Sequence, residues 1–241
     1  MVDDPPNPVF CAVDTAELGR ATTLTSQLRG VIGGLKLGLE FFTARGPVGV
    51  RQVRAGMPLF LDLKLHDIPN TVAGAVVSCA ELEPDLITVH SQGGLEMMQA
   101  AVAAAKDAPH PPAIIAVTIL TSLDQVDLNA AGMRDGPADS VRRLAALANK
   151  AGCQGAVCSP HEIETLREDL GPDFMLVVPG IRPRGIAMED QKRAMGPGEA
   201  MALGADILVV GRPITQADDP VAAATAIVQS AQAAQPAQAG A

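Results

Sequence analysis

The feature that most limits what this chain can fold into is a recurrence. Short apolar runs rich in β-branched residues return along its whole length, at Val9–Val13, Val31–Leu37, Leu59–Leu63, Leu86–Val89, Ile114–Ile119, Gly155–Cys158, Met175–Val178 and Ile207–Val210. They make about eight candidate strands, each too short for a buried helix. The runs are continuously apolar more than alternating, as in strands covered on both faces, and that is the mark of a parallel sheet. Ala-rich stretches with helical spacing lie between them. Ser140 is placed to cap one that puts Leu144, Leu147, Ala148 and Ala151 on a single face and stops at Gly152. Ala148–Ser159 and Ala200–Gly211 share one plan, a small-residue helix end, a glycine, then an apolar strand closed by a small residue.

About eight strand-helix units in 241 residues fit an α/β fold of the (β/α)8 or TIM barrel type better than an open doubly wound sheet. No Gly-rich dinucleotide fingerprint follows the first run. We expect a single domain over residues 9–230, preceded by a short extension at 1–8 and followed by an Ala/Gln-rich tail at 231–241. The barrel also predicts where chemistry sits, because active sites of this fold gather at the C-terminal ends of the strands. Polar residues appear there in turn: Asp14, Lys36, Asp62 with Lys64, His90, Thr121, Ser159, Arg182 and Arg212.

Composition narrows the function. The net charge is −9, and aromatics make up 2% of the chain with no Trp or Tyr. A broad basic footprint or a stacking surface for nucleic acid is therefore not expected, and an anionic substrate would need locally placed cations. The opening residues lack a signal-peptide pattern and no run is long enough to span a membrane, so neither secretion nor a membrane partner is expected. Cys11, Cys79, Cys153 and Cys158 show no zinc-ligand spacing and read as buried thiols of a cytoplasmic protein. The four histidines likewise show no metal-binding spacing, and His90 reads as a hydrogen-bonded structural residue.

The densest chemical signal is Phe60-Leu61-Asp62-Leu63-Lys64-Leu65-His66-Asp67-Ile68-Pro69-Asn70-Thr71. On a strand, Asp62 and Lys64 project the same way about 6–7 Å apart, so both enter the barrel mouth. Lys36 and Asp67 can join them in an alternating array of two ammoniums and two carboxylates. Each charge holds its neighbours ionised in such an array, and a fixed carboxylate can oppose a substrate carboxylate while a lysine offers a proton to the carbon it leaves. A second constellation follows the last two strands, Pro179-Gly180-Ile181-Arg182-Pro183 and Gly211-Arg212-Pro213. Loops at these positions of a barrel often bind phosphate through backbone N–H groups and a cation. Between the two lies a Gly/Pro-punctuated stretch, Arg184–Gly198, that carries Gln191 and reads as a lid.

Together these residues resemble the orotidine 5′-phosphate decarboxylase family. The resemblance rests on Asp62–Thr71, Asp14, Lys36-Leu37-Gly38, Leu120-Thr121-Ser122, Pro179–Pro183, Asp190-Gln191 and Gly211-Arg212, and runs from Asp14 to Arg212. It implies conversion of orotidine 5′-phosphate to UMP and carbon dioxide, the last step of UMP synthesis, with no cofactor and no metal. It further implies that Asp62 faces the leaving carboxylate, that Lys64 protonates C6, and that Asp14 and Lys36 hold the ribose. Asp67, Ile68 and Thr71 would reach across a homodimer interface into the partner's site. Thr121 would lie near ribose and base, Arg182, Gly211 and Arg212 would hold the phosphate, and Gln191 would bridge phosphate and pyrimidine. One departure is Met195-Gly196-Pro197, which stands where the family usually has a Thr-Pro step. Two other readings compete: a Mg²⁺-dependent sugar-phosphate decarboxylase or aldol-type synthase sharing the Asp-x-Lys-x-x-Asp strand, and a non-catalytic nucleotide-binding barrel.

Overall fold

The computed structural model describes residues 7–183 and 195–234. Within them eight parallel strands close into a barrel in sequence order. They are β1 (Val9–Ala12), β2 (Gly34–Gly38), β3 (Leu59–Leu65), β4 (Leu86–His90), β5 (Ala113–Val117), β6 (Gly155–Val157), β7 (Met175–Val178) and β8 (Ile207–Val210), and Val9 pairs with Leu208 to complete the ring. The helices are α1 (Leu18–Leu28), α2 (Leu39–Arg54), α3 (Pro69–Ala80), α4 (Gly94–Lys106), α5 (Gln125–Ala130), α6 (Pro137–Ala151), α7 (Ile163–Leu170), α8 (Pro197–Ala202), α9 (Arg212–Thr215) and α10 (Pro220–Gln232). Each strand is followed by at least one of them, as the alternating sequence pattern demands.

Both faces of each strand are covered, which explains the unbroken apolar runs. One parity, with Val9, Cys11, Leu35, Leu37, Leu59 and Leu61, packs against the helices. The other parity, with Phe10, Ala12, Phe60, Leu86, Ile115, Val177 and Val209, fills the barrel itself. Each large side chain fully buried this way contributes about 1.5–3 kcal/mol. Phe10 occupies space made available by its neighbour, since a Cβ added at Gly34 would run into the Phe10 ring. The scarcity of aromatics is thus consistent with a barrel plugged mainly by aliphatic side chains.

Local boundaries differ from expectation where turn chemistry overrides the apolar pattern. α6 starts at Pro137, with Gly136 as the extended residue before it, so Ser140 is buried inside the helix and is not its cap. Proline at the first helical position has its φ preset and no N–H to leave unpaired, and that makes it the stronger start. The helix ends as expected at Gly152, whose φ of 86° is left-handed. β2 begins at Gly34, three residues after the apolar run opens, because Val31 and Ile32 close the turn after α1 through bonds to Leu28 O. α10 continues through Gln232, past residue 230, and Ala231 is buried.

Candidate active site

The strand pleat places the candidate residues. Phe60 and Asp62 on β3 share the inward parity, as do Gly34 and Lys36 on β2, so the apolar plug ends and a charged layer begins toward the C-terminal rim. Asp62 and Lys36 are both buried, and Lys36 Nζ lies 3.1 Å from Asp62 Oδ2 and 3.4 Å from Asp14 Oδ1. Lys64 Nζ lies 2.8 Å from the same Asp62 Oδ2. The chain therefore carries the array Asp14–Lys36–Asp62–Lys64. Within this chain the second carboxylate on Lys36 is Asp14, two residues past the end of β1 and in the inward parity of Phe10 and Ala12. Asp67 sits on the exposed loop before α3, where its Oδ1 accepts the Ile68 N–H at 2.7 Å.

Charge in this array is mutually enforced. Burial opposes ionisation of Lys36, yet the carboxylates of Asp62 and Asp14 outweigh it and hold the ammonium above its ordinary pKa. Burial likewise opposes ionisation of Asp62, and the charges and hydrogen bonds of Lys36 and Lys64 outweigh it, holding the carboxyl below its ordinary pKa.

Lys64 does not continue the strand regularly. Leu61 pairs with Ile87 and Leu65 with Val89, so Asp62, Leu63 and Lys64 stand opposite Thr88 alone. Lys64 has φ 51°, a left-handed conformation that costs a residue with a Cβ about 1–2 kcal/mol. Its N–H donates to Thr88 Oγ1 at 2.8 Å, and the Thr88 hydroxyl donates to Asp62 Oδ1 at 2.9 Å.

A cavity of about 530 Å³ joins this array to the loops after β7 and β8. Asp14, Lys36, Asp62 and Lys64 line one part; Gly180, Arg182, Gly211 and Arg212 line another; Thr121 contributes from the loop after β5, four residues beyond the strand end. Gly180 has φ 81°, which glycine adopts without strain, and it carries the chain from β7 toward Arg182. At Gly211 a Cβ would meet Ala12 only at ordinary contact distance, 3.6 Å, so protein packing does not demand glycine there. Its bare backbone opens onto the cavity, at the start of α9 whose first residue is Arg212. The cavity is lined by five cations and two carboxylates in a chain of net charge −9, the local excess an anionic substrate requires.

Some residues escaped the sequence reading. Arg20 lines the cavity from α1 and donates to Thr215 O at 3.2 Å, adding a third arginine near Arg182 and Arg212. Nothing in its helical context separates it from a solvated arginine. Thr88 was hidden inside an apolar run. Ser159, though at a strand end, is buried away from the cavity, and its N–H donates to Glu162 Oε2. His90 is not hydrogen-bonded as expected: it stacks on His66 with ring centroids 5.2 Å apart, and its buried Nδ1 has no partner among the described residues. Ile68 and Thr71 are exposed and, like Asp67, do not line this chain's own cavity. Gln191 and most of the expected lid lie outside the described residues. The base of that segment is closed by a parallel bridge between Ile181 and Met195, with Arg182 N–H donating to Met195 O at 2.9 Å.

This geometry has known counterparts. The sequence model described as Orotidine 5'-phosphate decarboxylase / HUMPS family matches residues 7–227. The chain belongs to this family. It is 56% identical over 228 residues to the orotidine 5'-phosphate decarboxylase of Rhodospirillum rubrum, covering 92% of each chain. It is 53% identical over 224 residues to that of Paramagnetospirillum magneticum, covering 90% of this chain and 95% of the relative. The crystal structure of orotidine 5'-phosphate decarboxylase from Lactobacillus acidophilus superposes with a TM-score of 0.82 at 36% identity, over 93% of this chain and 99% of that one. As an orotidine 5'-phosphate decarboxylase / HUMPS family member, the chain has the barrel expected from its sequence. Among the described residues no helix is long and apolar enough to cross a membrane.

Proposed function

We propose that this protein decarboxylates orotidine 5′-phosphate to UMP and carbon dioxide, using side chains alone. The observation that carries the reading is that one cavity holds both the Lys36–Asp62–Lys64 array and the Arg182, Gly211 and Arg212 cluster. Relatives named orotidine 5'-phosphate decarboxylase across most of the chain support it.

In this reading the phosphate lies against Arg182, Arg212 and the backbone at Gly211, and Asp14 with Lys36 takes the ribose hydroxyls. Thr121 borders the ribose and base, and Gln191 takes the part the resemblance gives it, bridging phosphate and pyrimidine. These contacts set the pyrimidine so that its C6 carboxylate faces Asp62 and C6 faces Lys64 Nζ. The C6–carboxylate bond breaks, its electron pair stays on C6, carbon dioxide leaves, and a proton from Lys64 ends on C6. The resulting vinyl carbanion has no resonance stabilisation, so preorganised charge must lower the barrier. Lys64 stabilises charge that exists only as the bond breaks, which is transition-state binding; repulsion from Asp62 acts on the ground state. We assign Lys64 the larger share. Phosphate binding supplies remote binding energy for orienting the base and excluding water.

The functional unit we propose is a homodimer in which Asp67, Ile68 and Thr71 of the partner subunit complete each site. Their exposure and their absence from their own chain's cavity support it. The free state of all four buried cysteines fits a cytoplasmic setting. Turnover in D₂O tests the chemistry: UMP carrying deuterium at C6 is expected from the parent, and Lys64→Ala should lose turnover while binding UMP within about tenfold. UMP without deuterium, or a Lys64→Ala enzyme within tenfold of the parent rate, would remove Lys64 as the proton donor.

A further inference from the structure

We propose that Thr88 is a positioning residue for this reaction: its hydroxyl, standing alone opposite the β3 bulge, aims the Asp62 carboxylate and fixes the backbone from which Lys64 reaches the reacting carbon. The inference rests on the functional reading above and deepens it.

Thr88 shares the inward parity of Leu86 on β4 and is 0% exposed. It does not line the cavity, so it acts on substrate only through others. A hydroxyl has one proton to give. Because the Lys64 N–H occupies Thr88 Oγ1 as a donor, the hydroxyl proton is directed to Asp62 Oδ1. The other carboxylate oxygen, Oδ2, is held by Lys36 and Lys64 at 3.1 and 2.8 Å. Asp62 is thereby gripped at both oxygens, and rotation of its carboxylate would break a contact on either side. The same hydroxyl bonds the backbone of Lys64 where φ is 51°, tying the one left-handed residue of β3 to the next strand. A single group thus sets the relative placement of the carboxylate and the ammonium. Catalysis by preorganised charge is sensitive to such placement, because a misplacement of about 1 Å in a reacting pair can cost about a hundredfold in rate.

Valine at this position keeps the shape and the strand preference but supplies no hydroxyl, whereas serine keeps the hydroxyl. The test measures kcat and KM for orotidine 5′-phosphate and the Kd of UMP for Thr88→Val and Thr88→Ser. Thr88→Val is expected to lower kcat about ten- to a hundredfold, with KM and the UMP Kd within about threefold of the parent, and Thr88→Ser to keep kcat within about threefold. The proposal is overturned if Thr88→Val retains kcat within threefold, if UMP affinity falls in step with kcat, or if Thr88→Ser loses as much as Thr88→Val. Should Thr88→Val not fold, Thr88→Ala is read by the same criteria. If no hydroxyl-free variant folds, the hydroxyl serves the barrel and the positioning role is overturned. An inactive parent enzyme overturns the functional reading itself, while an active parent with an unaffected Thr88→Val overturns only the role of Thr88.

Discussion

Lys36 and Asp62 are buried charges that are stable only together, and this fixes how the site responds to pH. Lys36 has a raised value, so its contribution is present below the ordinary 10.5 and is lost as pH rises through the raised value. Asp62 has a lowered value, so its contribution is present above the ordinary 3.8 and is lost as pH falls through the lowered value. Between those limits the array contributes steadily. His90 titrates inside the limits: burial first, then His66 and Lys64, push it from 6.5 down to about 4. A folded-state value below the unfolded one means stability present above pH 6.5 and progressively lost toward pH 4. Urea unfolding of the parent from pH 7 to 4 should therefore show a decline that His90→Gln flattens; equal slopes would show that His90 carries no such linkage. Of the site residues, Asp62 and Lys64 were legible because two charges at i and i+2 of an otherwise apolar strand would be costly to bury unpaired. Thr88 was not, since a threonine among Leu, Ile and Val is indistinguishable from a strand former until its hydroxyl partners are known. Asp14 was legible as a candidate, but its place as the second carboxylate on Lys36 depends on the β1–β2 register.

At the scale of elements, the strands were legible from their apolar runs because a two-sided parallel strand has no polar face to disguise it. Their ends were less so. β3 extends two residues past its apolar run because the bulge at Asp62–Lys64 keeps the polar residues in the strand, and α6 begins at Pro137 because turn chemistry outranks a later serine. The end of the barrel opposite the site is held by side-chain bonds that sequence patterns do not announce. Arg167 on α7 donates to Gly171 O, Pro172 O and Phe174 O ahead of β7 at 2.8–3.0 Å, and to Asp206 Oδ2 ahead of β8 at 2.6 Å. In this fold that end serves stability and the strand C-termini serve chemistry. Arg167→Met should cost about 2–3 kcal/mol in urea unfolding by stranding carbonyls, with kcat within about twofold. A variant of undiminished stability, or one folded and inactive, would contradict that division.

The molecule exposes apolar side chains at the start of α2 and from the entry of α3 along its length: Leu39 is 53% exposed, Ile68 before α3 is 66% and Val77, two turns into α3, is 55%. A second copy covering this face would bury them and bring in Asp67 of the partner subunit. Lys64→Ala and Asp67→Ala should each be nearly inactive alone. In a mixed dimer with shared sites, one site carries both lesions and the other neither, so co-refolding at equal ratio should restore about a quarter of parent activity. No recovery after verified subunit exchange would place Asp67 in its own subunit's site or outside catalysis. The proposed sharing could not be read from strand parity, because it would depend on a surface formed between two chains. In the proposed function the charged array at the strand ends performs the decarboxylation with side chains alone. This is tested most directly by incubating purified, chelator-treated protein with orotidine 5′-phosphate and quantifying substrate, UMP and carbon dioxide. Loss of substrate should be matched one for one by both products at a rate the chelator does not change; no UMP, or turnover that appears only when Mg²⁺ is added back, would rule out a metal-free decarboxylase.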